Sequence, residues 1–292
     1  GGGGGGMALI FKSGLIRAIR SGAVSSCPIL GEDDRVKLGF IGAGVITDAI
    51  VRGLLRANYP ASEILVSSRT HEISTQLAQL SPLVRVCGDN QIIADEAEML
   101  FLAVRPQHAE DVLTSLTIGP DRQIVSLIAT IPIDRLREWT HPDAQICRAI
   151  PLPSVADLAG VTAVFPSAPI VEELFDALGT AVAAETIEAF DAYAVASAMM
   201  GLYFGLSEAA AQWLCSQGSS YEGARAYLAG MFQGLADTAT EASGESFEEL
   251  RLRHTTPGGL NEQLFQTFLD HDGGNAVDRS CVSVAKRIRD MH

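Results

Sequence analysis

Basic residues, cysteine pairs and histidine pairs are scarce in this sequence, and each shortage excludes a class of site. Lysine and arginine number 21 against 35 acidic residues among 292, so the chain lacks the clustered cations that nucleic-acid binding needs. The five cysteines are odd in number and have no C-x-x-C spacing, which predicts neither a disulfide framework nor a zinc site. The six histidines form no H-x-x-x-H pair. We therefore expect no nucleic-acid partner, no metal and a reducing compartment such as the cytoplasm.

The first 34 residues are expected to lie outside the fold. Gly1 to Gly6 resemble an added tag, and residues 7–20 are cationic, free of acids and weakly amphipathic. One interpretation is a flexible, dispensable extension. The alternatives are a presequence within residues 7–30, which would make an organelle the alternative location, a surface-lying helix, and an upstream stretch translated from a misplaced start. Because the apolar stretches are too short, no membrane span is predicted here.

Gly42-Ala43-Gly44 is the most informative pattern in the chain. It follows the apolar run 36–41 and precedes a helical segment over 45–57. A glycine turn between a strand and a helix lets the backbone approach a pyrophosphate, which then sits at the positive helix N-terminus. The third position of this fingerprint is Thr47 instead of Gly or Ala, and a plain strand-to-helix turn is the alternative interpretation. The predicted cofactor-binding residues are Gly42, Gly44, Val45 and Ile46.

A second strand ends at Ser67-Ser68-Arg69, about 20 residues after the glycine turn, where the ribose of a dinucleotide is usually bound. These residues include no carboxylate to accept hydrogen bonds from a ribose 2′-hydroxyl. Hydroxyls and a guanidinium suit a 2′-phosphate instead, which favours NADP(H) over NAD(H). The alternative is that Arg69 is a solvated surface charge.

Short apolar runs alternate with helical segments from residue 36 to about 184. Strands are predicted over 36–41, 63–67, 83–87, 99–103, 123–127, 145–150, 160–165 and 180–184, with helices that include 71–80, 107–116 and 132–139. This alternation predicts an α/β fold: a Rossmann-like, parallel-sheet nucleotide-binding domain over residues 35–184. Ligands bind beyond the carboxyl ends of such strands, so residues after the fourth and fifth strands should contact the cofactor. They are Ala103, Val104, Arg105, Pro106 and Ala129.

Helical patterns alone follow, and residues 185–292 are predicted to form an all-α dimerisation and substrate domain. The segment 192–206 has no charge and is apolar nearly all round, which predicts a helix buried on every side. A domain of this size cannot easily bury such a helix alone, so a second subunit is expected to cover it. The Met199-Met200 pair is interpreted as interface packing, with a ligand site as the alternative.

Six motifs, in order and at matching spacing over about residues 36–275, resemble the pyrroline-5-carboxylate reductase family, whose NAD(P)H-dependent members reduce a cyclic imine to proline. They are LGFIGAG (38–44), VSSR (66–69), FLAVRPQ (101–107), RAIP (148–151), ELFDALG (173–179) and TPGG (256–259). The resemblance implies amino-acid metabolism, a helical C-terminal dimerisation domain, and an active site between the nicotinamide and helices of a partner subunit. Many family members assemble dimers further into decamers.

Departures from the family pattern concentrate in the substrate half. Near the cofactor, the family's Asn-Met-Ala is replaced by Val45-Ile46-Thr47. In the substrate half, Leu152 replaces the family's Asn after the sixth strand, and Met200 lies in a segment, 197–203, that has lost the family's small residues and proline. This loss predicts a continuous helix there. Asn261 replaces the family's imine-contacting Thr.

Imine reduction requires a proton on nitrogen as well as a hydride on carbon. Asn261 can orient the imine nitrogen but is no acid, so the proton would come from water, from an already protonated iminium or from Glu262. The turn that contains Thr256, Gly258 and Gly259 could bind a substrate carboxylate through exposed backbone N–H groups. The alternative role for Asn261 is the N-cap of the helix that follows.

The function predicted is NADPH-dependent reduction of the C=N bond of a cyclic imine or imino acid, with pyrroline-5-carboxylate a poor substrate or none. Asn261 and Glu262 are the catalytic candidates; Thr256, Gly258, Gly259, Leu152 and Met200 are the substrate-binding ones. Two alternatives remain: a catalytically silent NADP(H)-binding paralogue, and a reductase of another carbonyl or imine. Carbonyl reduction would normally require a lysine in the helical domain, and none occurs between residues 184 and 284.

Overall fold

The computed structural model of the protein describes residues 35–69 and 71–290. The predicted extension over residues 1–34 and its presequence alternative lie outside this part of the chain. Within the described residues, the chain forms two compact units, one of residues 35–69, 71–194 and 288–290, and one from Val195 to Arg287. The predicted domain boundary at 184/185 stays a prediction. The division between the compact units falls later, within a helix.

Eight strands of the first unit form one sheet. They are β1 Val36–Ile41, β2 Ala61–Ser67, β3 Val84–Cys87, β4 Met99–Leu102, β5 Gln123–Ser126, β6 Gln145–Pro151, β7 Gly160–Phe165 and β8 Gly179–Ala183. Their order in the sheet is β3-β2-β1-β4-β5-β6-β7-β8. Strand β4, near the centre, is buried along its whole length and is apolar throughout, as a strand covered on both faces must be.

The last two strands run against the other six. Strands β1 to β6 pair in parallel, whereas β7 pairs antiparallel with β6, with Pro151 opposite Thr162. Strand β8 is parallel to β7. The sheet therefore differs from the parallel arrangement predicted for these two strands. Only a short 3₁₀ helix, Pro153–Asp157, separates β6 from β7, and a parallel connection would need a longer crossover.

Helices cover both faces of this sheet. Val51, Leu77 and Phe175 belong to one buried apolar cluster, and Ile93 and Leu113 belong to the other. The two clusters make the three-layer arrangement of a doubly wound domain. The helices of this unit are α1 Val45–Arg56, α2 His71–Leu80, α3 Asn90–Glu96, α4 Pro106–Thr114, α5 Ile133–Trp139 and α6 Pro169–Ala177, and α7 Ile187–Ser197 crosses into the second unit.

All the regular elements in the described part of the second unit are helices. After α7 it contains α8 Met199–Ser216, α9 Tyr221–Glu241, α10 Phe247–Arg253, α11 Leu260–Asp270 and α12 Gly273–Arg289. Serine side chains cap α9 and α10: Ser220 accepts from the backbone of Gly223, and Ser246 forms a capping box with Glu249. Both caps satisfy N–H groups that the helices leave without partners.

The prediction of a continuous helix over 197–203 is wrong at one residue. Ala198 separates α7 from α8, although its backbone stays in the right-handed helical region with φ −70° and ψ −13°. Its N–H donates to Val195 and its carbonyl accepts from Gly201, so the local hydrogen bonds tighten to the i,i+3 spacing of a 3₁₀ turn. Loss of the family's proline does not by itself restore an unbroken α-helix.

In the single chain, several large apolar side chains of the second unit are exposed. Phe204 is 69% exposed, Trp213 63% and Leu260 83%. The predicted burial of segment 192–206 on every side is thus not achieved within one chain. The stretch Ile187–Ser216 is also long and apolar enough to cross a membrane by length and composition alone. One such stretch is weak evidence, since helices that pack against a partner pass the same test.

Candidate active site

The glycine turn after β1 brings together two loops at the carboxyl edge of the sheet. Gly42 has a φ of +106°, and a Cβ at this residue would lie 2.5 Å from the carbonyl oxygen of Ala103. Gly44 has extended backbone angles, and a Cβ there would meet nothing within 4 Å. The first glycine is therefore required by the backbone and the neighbouring loop. The second leaves open space next to the helix N-terminus.

Helix α1 begins in that open space without a side-chain cap. Gly44 is its N-cap residue and offers no side chain to accept from the first-turn N–H groups. Val45, at the first helical position, is 73% exposed. Uncapped N–H groups at the positive end of a helix dipole suit a pyrophosphate, as predicted for Gly42, Gly44, Val45 and Ile46.

Thr47 has a role that the sequence analysis did not predict. Its side chain is fully buried, and its hydroxyl donates to the carbonyl oxygen of Gly42 over 2.8 Å. Threonine at the third fingerprint position therefore connects the helix to the glycine turn. The signal was present in the sequence as a hydroxyl residue in the first turn of a helix, where such side chains often bond nearby backbone.

Exposure to solvent increases residue by residue at the end of β2. Ser67 is buried, Ser68 is half-buried and Arg69 is exposed, and the Ser68 N–H donates to the carbonyl oxygen of Cys87 on β3. Of these three residues, only Arg69 is exposed. This arrangement holds a cation where the 2′-position of a ribose is expected.

The loops after β4 and β5 line the same edge. Ala103 and Val104 are half-buried, whereas Arg105 and Pro106 are exposed at the start of α4. Ala129, in the loop after β5, accepts a hydrogen bond from the Arg148 guanidinium on β6. Leu152, a predicted substrate-binding residue, is half-buried directly after β6 and precedes the 3₁₀ helix.

In the second unit, Thr256, Gly258, Gly259, Asn261 and Glu262 lie together in one tight turn and the helix after it. Gly259 donates to the carbonyl oxygen of Thr256 over 2.8 Å, and Gly258 has a φ of +73°. A glycine with positive φ at the third position is typical of a type II turn with proline at the second. An open groove of about 380 Å³ is lined by this turn and by the first two turns of α11.

The turn satisfies its own N–H groups. The Gly258 N–H donates to Glu262 Oε2 over 2.6 Å, and the Gly259 N–H is used within the turn. The predicted carboxylate-binding nest at Gly258 and Gly259 thus has both of these donors occupied. The backbone N–H groups left for a ligand are those of the first turn of α11, which has no side-chain cap.

Asn261 does not cap α11. The N-cap residue is Gly259, and Asn261 lies within the helix, so the alternative role predicted for it is wrong. Its Nδ2 donates to the carbonyl oxygen of His254 over 2.7 Å. Because a carbonyl can only accept, this bond fixes which end of the amide is the oxygen. Among the described residues, Oδ1 of Asn261 has no hydrogen-bond partner and is an acceptor.

Met200 lies near the start of α8 and is 42% exposed. It belongs to the second unit, as do Thr256 and Asn261, whereas Leu152 belongs to the first.

The described residues hold no group of three or more His, Cys, Asp or Glu side chains that could bind a metal.

Two segments match models of protein families. Residues 37–130 match the family described as NADP oxidoreductase coenzyme F420-dependent, and residues 180–291 match pyrroline-5-carboxylate reductase dimerisation. The pyrroline-5-carboxylate reductase of Synechocystis sp. is 36% identical over 130 residues, which cover 44% of this chain and 48% of that protein. That of Vibrio alginolyticus is 27% identical over 266 residues, which cover 87% of this chain and 97% of that protein.

The chain belongs to the pyrroline-5-carboxylate reductase family. The pyrroline carboxylate reductase of Plasmodium falciparum, solved with NADP bound, shares its fold, with a TM-score of 0.75 and 18% identity over 88% of this chain and 98% of that one. The predicted fold class, a Rossmann-like domain followed by an all-α dimerisation domain, is confirmed. The prediction of NADP(H) as cofactor agrees with the family that matches the first unit.

Proposed function

We propose that this protein is an NADPH-dependent reductase that reduces the C=N bond of a cyclic imine or imino acid. The observation that carries the proposal is the open space beside Gly44 at an uncapped helix N-terminus, in a chain of the pyrroline-5-carboxylate reductase family. The relatives named above are pyrroline-5-carboxylate reductases.

The residues at the carboxyl edge fit NADP(H). The first-turn N–H groups of α1 would hold the pyrophosphate, and the exposed Arg69 with Ser68 would hold the 2′-phosphate. In the strand order of a doubly wound sheet, the adenosine half lies over β1 to β3 and the other half over β4 to β6. Ala103, Arg105 and Ala129 would therefore face the nicotinamide half. When bound, the reduced nicotinamide supplies the hydride equivalent.

Asn261 would orient the substrate nitrogen through its oxygen. Nδ2 uses one of its two N–H groups on the His254 carbonyl, whereas Oδ1 has no partner among the described residues, so the amide atom wholly available to a ligand is the acceptor Oδ1. An acceptor suits a protonated iminium, whose N–H can donate to it, better than a neutral imine, whose nitrogen lone pair would face the amide oxygen. We therefore place the proton on the substrate nitrogen before reduction. This removes the need for an acid at Asn261.

Glu262 would act by charge and not by proton transfer. One of its carboxylate oxygens accepts from the Gly258 N–H, so the side chain is held beside the turn. A carboxylate one residue from Asn261 favours a cationic iminium at this position. Thr256, Leu152 and Met200 remain proposed contacts for the rest of the substrate.

The assembly proposed is a homodimer or a higher homo-oligomer. Its support is the match of residues 180–291 to the dimerisation family and the exposed apolar side chains of α8, including Phe204 and Trp213. A second copy would remove this apolar surface from water without a membrane. Cytoplasmic location stays part of the proposal.

The first experiment is NADPH oxidation with pyrroline-5-carboxylate, pyrroline-2-carboxylate and piperideine-2-carboxylate, each presented separately. Turnover of any of them supports the proposal, and a kcat/KM for pyrroline-5-carboxylate below about 10⁴ per molar per second supports a shifted specificity. A Gly44→Val variant serves as the control, because its side chain fills the pyrophosphate space without backbone strain. Silence of the wild-type protein across the panel, with NADPH still bound, would overturn reductase activity in favour of a non-catalytic NADP(H)-binding protein.

A further inference from the structure

Arg148 is the largest fully buried side chain of the described residues, and it is charged. It lies in the middle of β6 and is 1% exposed. Its neighbours on the strand are apolar, and burial lowers the pKa of its guanidinium. Removal of a guanidinium from water is unfavourable unless every N–H is paired. A buried arginine in a strand therefore calls for an explanation beyond packing.

The guanidinium contacts two segments that are far apart in sequence. Nη2 donates to the carbonyl oxygen of Ala129 in the loop after β5. Nη1 lies 3.7 Å from Asp191 Oδ1, and the group lies over the ring of Phe190 at 4.7 Å from its centroid. One side chain thus joins the β5 loop to α7.

The pairing is incomplete. Within the described chain, neither Nε nor Nη1 has a hydrogen-bond partner, and the same holds for Asp191 Oδ1. The ion pair with Asp191 is longer than a charge-assisted hydrogen bond, which spans about 2.7–2.9 Å. Since a partly paired buried cation stabilises a fold poorly, its contact with the β5 loop is the better explanation for its presence.

The β5 loop lies where the nicotinamide half of the cofactor is proposed to bind. Strand β5 is on the β4 side of the switch point between β1 and β4, and Ala129 follows its carboxyl end. The Ala129 carbonyl has two lone pairs, and Arg148 occupies one of them. A carbonyl whose direction is fixed in this way can accept from the amide group of a nicotinamide with its other lone pair.

We propose that Arg148 is a positioning residue that fixes the β5 loop, and with it the Ala129 carbonyl, under the nicotinamide half of the cofactor. The inference rests on the proposed function for the identity of the cofactor, but not on turnover of any substrate. Arg148 itself contacts neither the cofactor nor the imine in this role. Asp191 and Phe190 hold the guanidinium from the other side.

The test compares Arg148→Met and Arg148→Lys with the wild-type protein and with Arg56→Met. Arg56 forms an exposed ion pair with Asp157 in the same unit, and its hydrogen bonds go to the 3₁₀ helix after β6 and not to the β5 loop. Each protein is titrated with NADPH and with adenosine 2′,5′-bisphosphate, which carries the 2′-phosphate but no nicotinamide. Fluorescence of the bound reduced nicotinamide reports its surroundings, and kcat is measured with whichever imine is turned over.

We expect Arg148→Met to weaken NADPH binding about tenfold, to shift the fluorescence of the bound nicotinamide, and to lower kcat about 10- to 100-fold where turnover occurs. Affinity for adenosine 2′,5′-bisphosphate should stay within about twofold, and Arg56→Met should resemble wild type. Lysine should not rescue these effects, because it lacks the planar fork that reaches Ala129 and Asp191 together.

If folded Arg148→Met binds NADPH and adenosine 2′,5′-bisphosphate more weakly by the same factor, the proposal is overturned. Unchanged nicotinamide fluorescence together with unchanged affinity for NADPH would also overturn it. Rescue by lysine would also overturn it, since charge alone would then suffice. If Arg148→Met does not fold, Arg148→Lys and Asp191→Asn provide the same comparison, with a smaller shift expected for Asp191→Asn. Failure of the wild-type protein to reduce any imine would count against the proposed function but would leave the nicotinamide readout intact.

Discussion

Two glycine turns of this protein have opposite designs. Gly42 and Gly258 both have positive φ, but a Cβ at Gly42 would collide with Ala103, whereas a Cβ at Gly258 would meet nothing within 4 Å. The glycines beside them are reversed: Gly44 borders open space, and a Cβ at Gly259 would lie 2.8 Å from the carbonyl oxygen of Thr256. In the turn after β1, the glycine with positive φ packs against the Ala103 loop, and the open space lies beside the next glycine, at the N-terminus of α1.

The difference shows which turn is prepared for a ligand. Helices α1 and α11 both begin without a side-chain cap, but open space borders the N-cap residue only at Gly44, because a Cβ at Gly259 would lie 2.8 Å from the carbonyl oxygen of Thr256. The turn before α11 donates its two glycine N–H groups to Glu262 and Thr256. Preserved sequence at a glycine turn is therefore not enough to predict anion binding, because nearby carboxylates and carbonyls can occupy the same donors.

The largest expected effect is that of Gly42→Ala. It combines an unfavourable φ with a clash against backbone, so we expect the unfolding free energy to fall by about 2–3 kcal/mol and the Kd for NADPH to rise at least about 100-fold. Gly258→Ala has the strained φ alone and should cost about 1 kcal/mol. Denaturant unfolding and NADPH fluorescence titration measure both. Equal destabilisation by the two variants would break the comparison.

Arg69→Ala should raise the Kd for NADPH by about 10- to 100-fold and leave that for NADH within about twofold, because only NADPH carries the 2′-phosphate. Titration of the two cofactors gives the ratio directly. Arg135→Ala, which removes an exposed arginine paired with Glu138, is the matched control. An equal loss of affinity for NADH would mean that Arg69 supports the fold and does not bind the 2′-phosphate.

Asn261→Ala should lower kcat/KM by several-fold to about 100-fold without weakening NADPH binding. Asn261→Thr restores the family's hydroxyl, and we expect it to raise turnover of pyrroline-5-carboxylate relative to the wild-type protein. Steady-state kinetics on the imine panel distinguish the two. Unchanged turnover in both variants would leave Asn261 with only its bond to His254.

The smallest effect concerns an ion-pair group on β1, β2, β3 and α3, in which Lys37 and Arg85 each pair with Glu63 and Glu96. The hydrogen bonds from Arg85 and Lys37 lower the pKa of Glu96 to about 2. A lowered carboxyl pKa stabilises the fold above the unfolded pKa of about 4.3, and this contribution is lost as the pH falls towards 2.

Thermal melts of Glu96→Gln and the wild-type protein should therefore differ at neutral pH and converge between about pH 4.3 and 2. Glu138→Gln, at an exposed pair on α5, serves as the control and should differ little from the wild-type protein at neutral pH. A difference that persists unchanged at pH 2 would assign the effect of Glu96 to packing.

Strand positions were predictable because each strand is a separate apolar run, and all eight appear within two residues of the predicted bounds. The direction of β7 does not follow from its hydrophobic pattern, which is the same in both directions; the signal for it was the connection after β6, which is too short for a parallel crossover. The break at Ala198 could not be predicted either, because no proline or glycine marks it.

Some features of the candidate site could likewise be predicted from the sequence, and others could not. The geometry around Gly42 follows from local sequence, since a strand, a glycine turn and a helix start are contiguous. The bond between Arg148 and Ala129 joins β6 to the loop after β5 and cannot be inferred from either segment alone. The pairing of Gly258 with Glu262 is local, but carboxylate capping and ligand binding require the same residues, and the sequence alone does not distinguish them.

The buried hydroxyl of Thr47 affects the entropy of binding. Its hydrogen bond to Gly42 holds the turn in one conformation whether or not a ligand is present. Ordering a single backbone residue costs about 1–2 kcal/mol of conformational entropy. In this protein that loss occurs during folding, so the turn meets a dinucleotide already ordered and more of the interaction energy is retained as affinity.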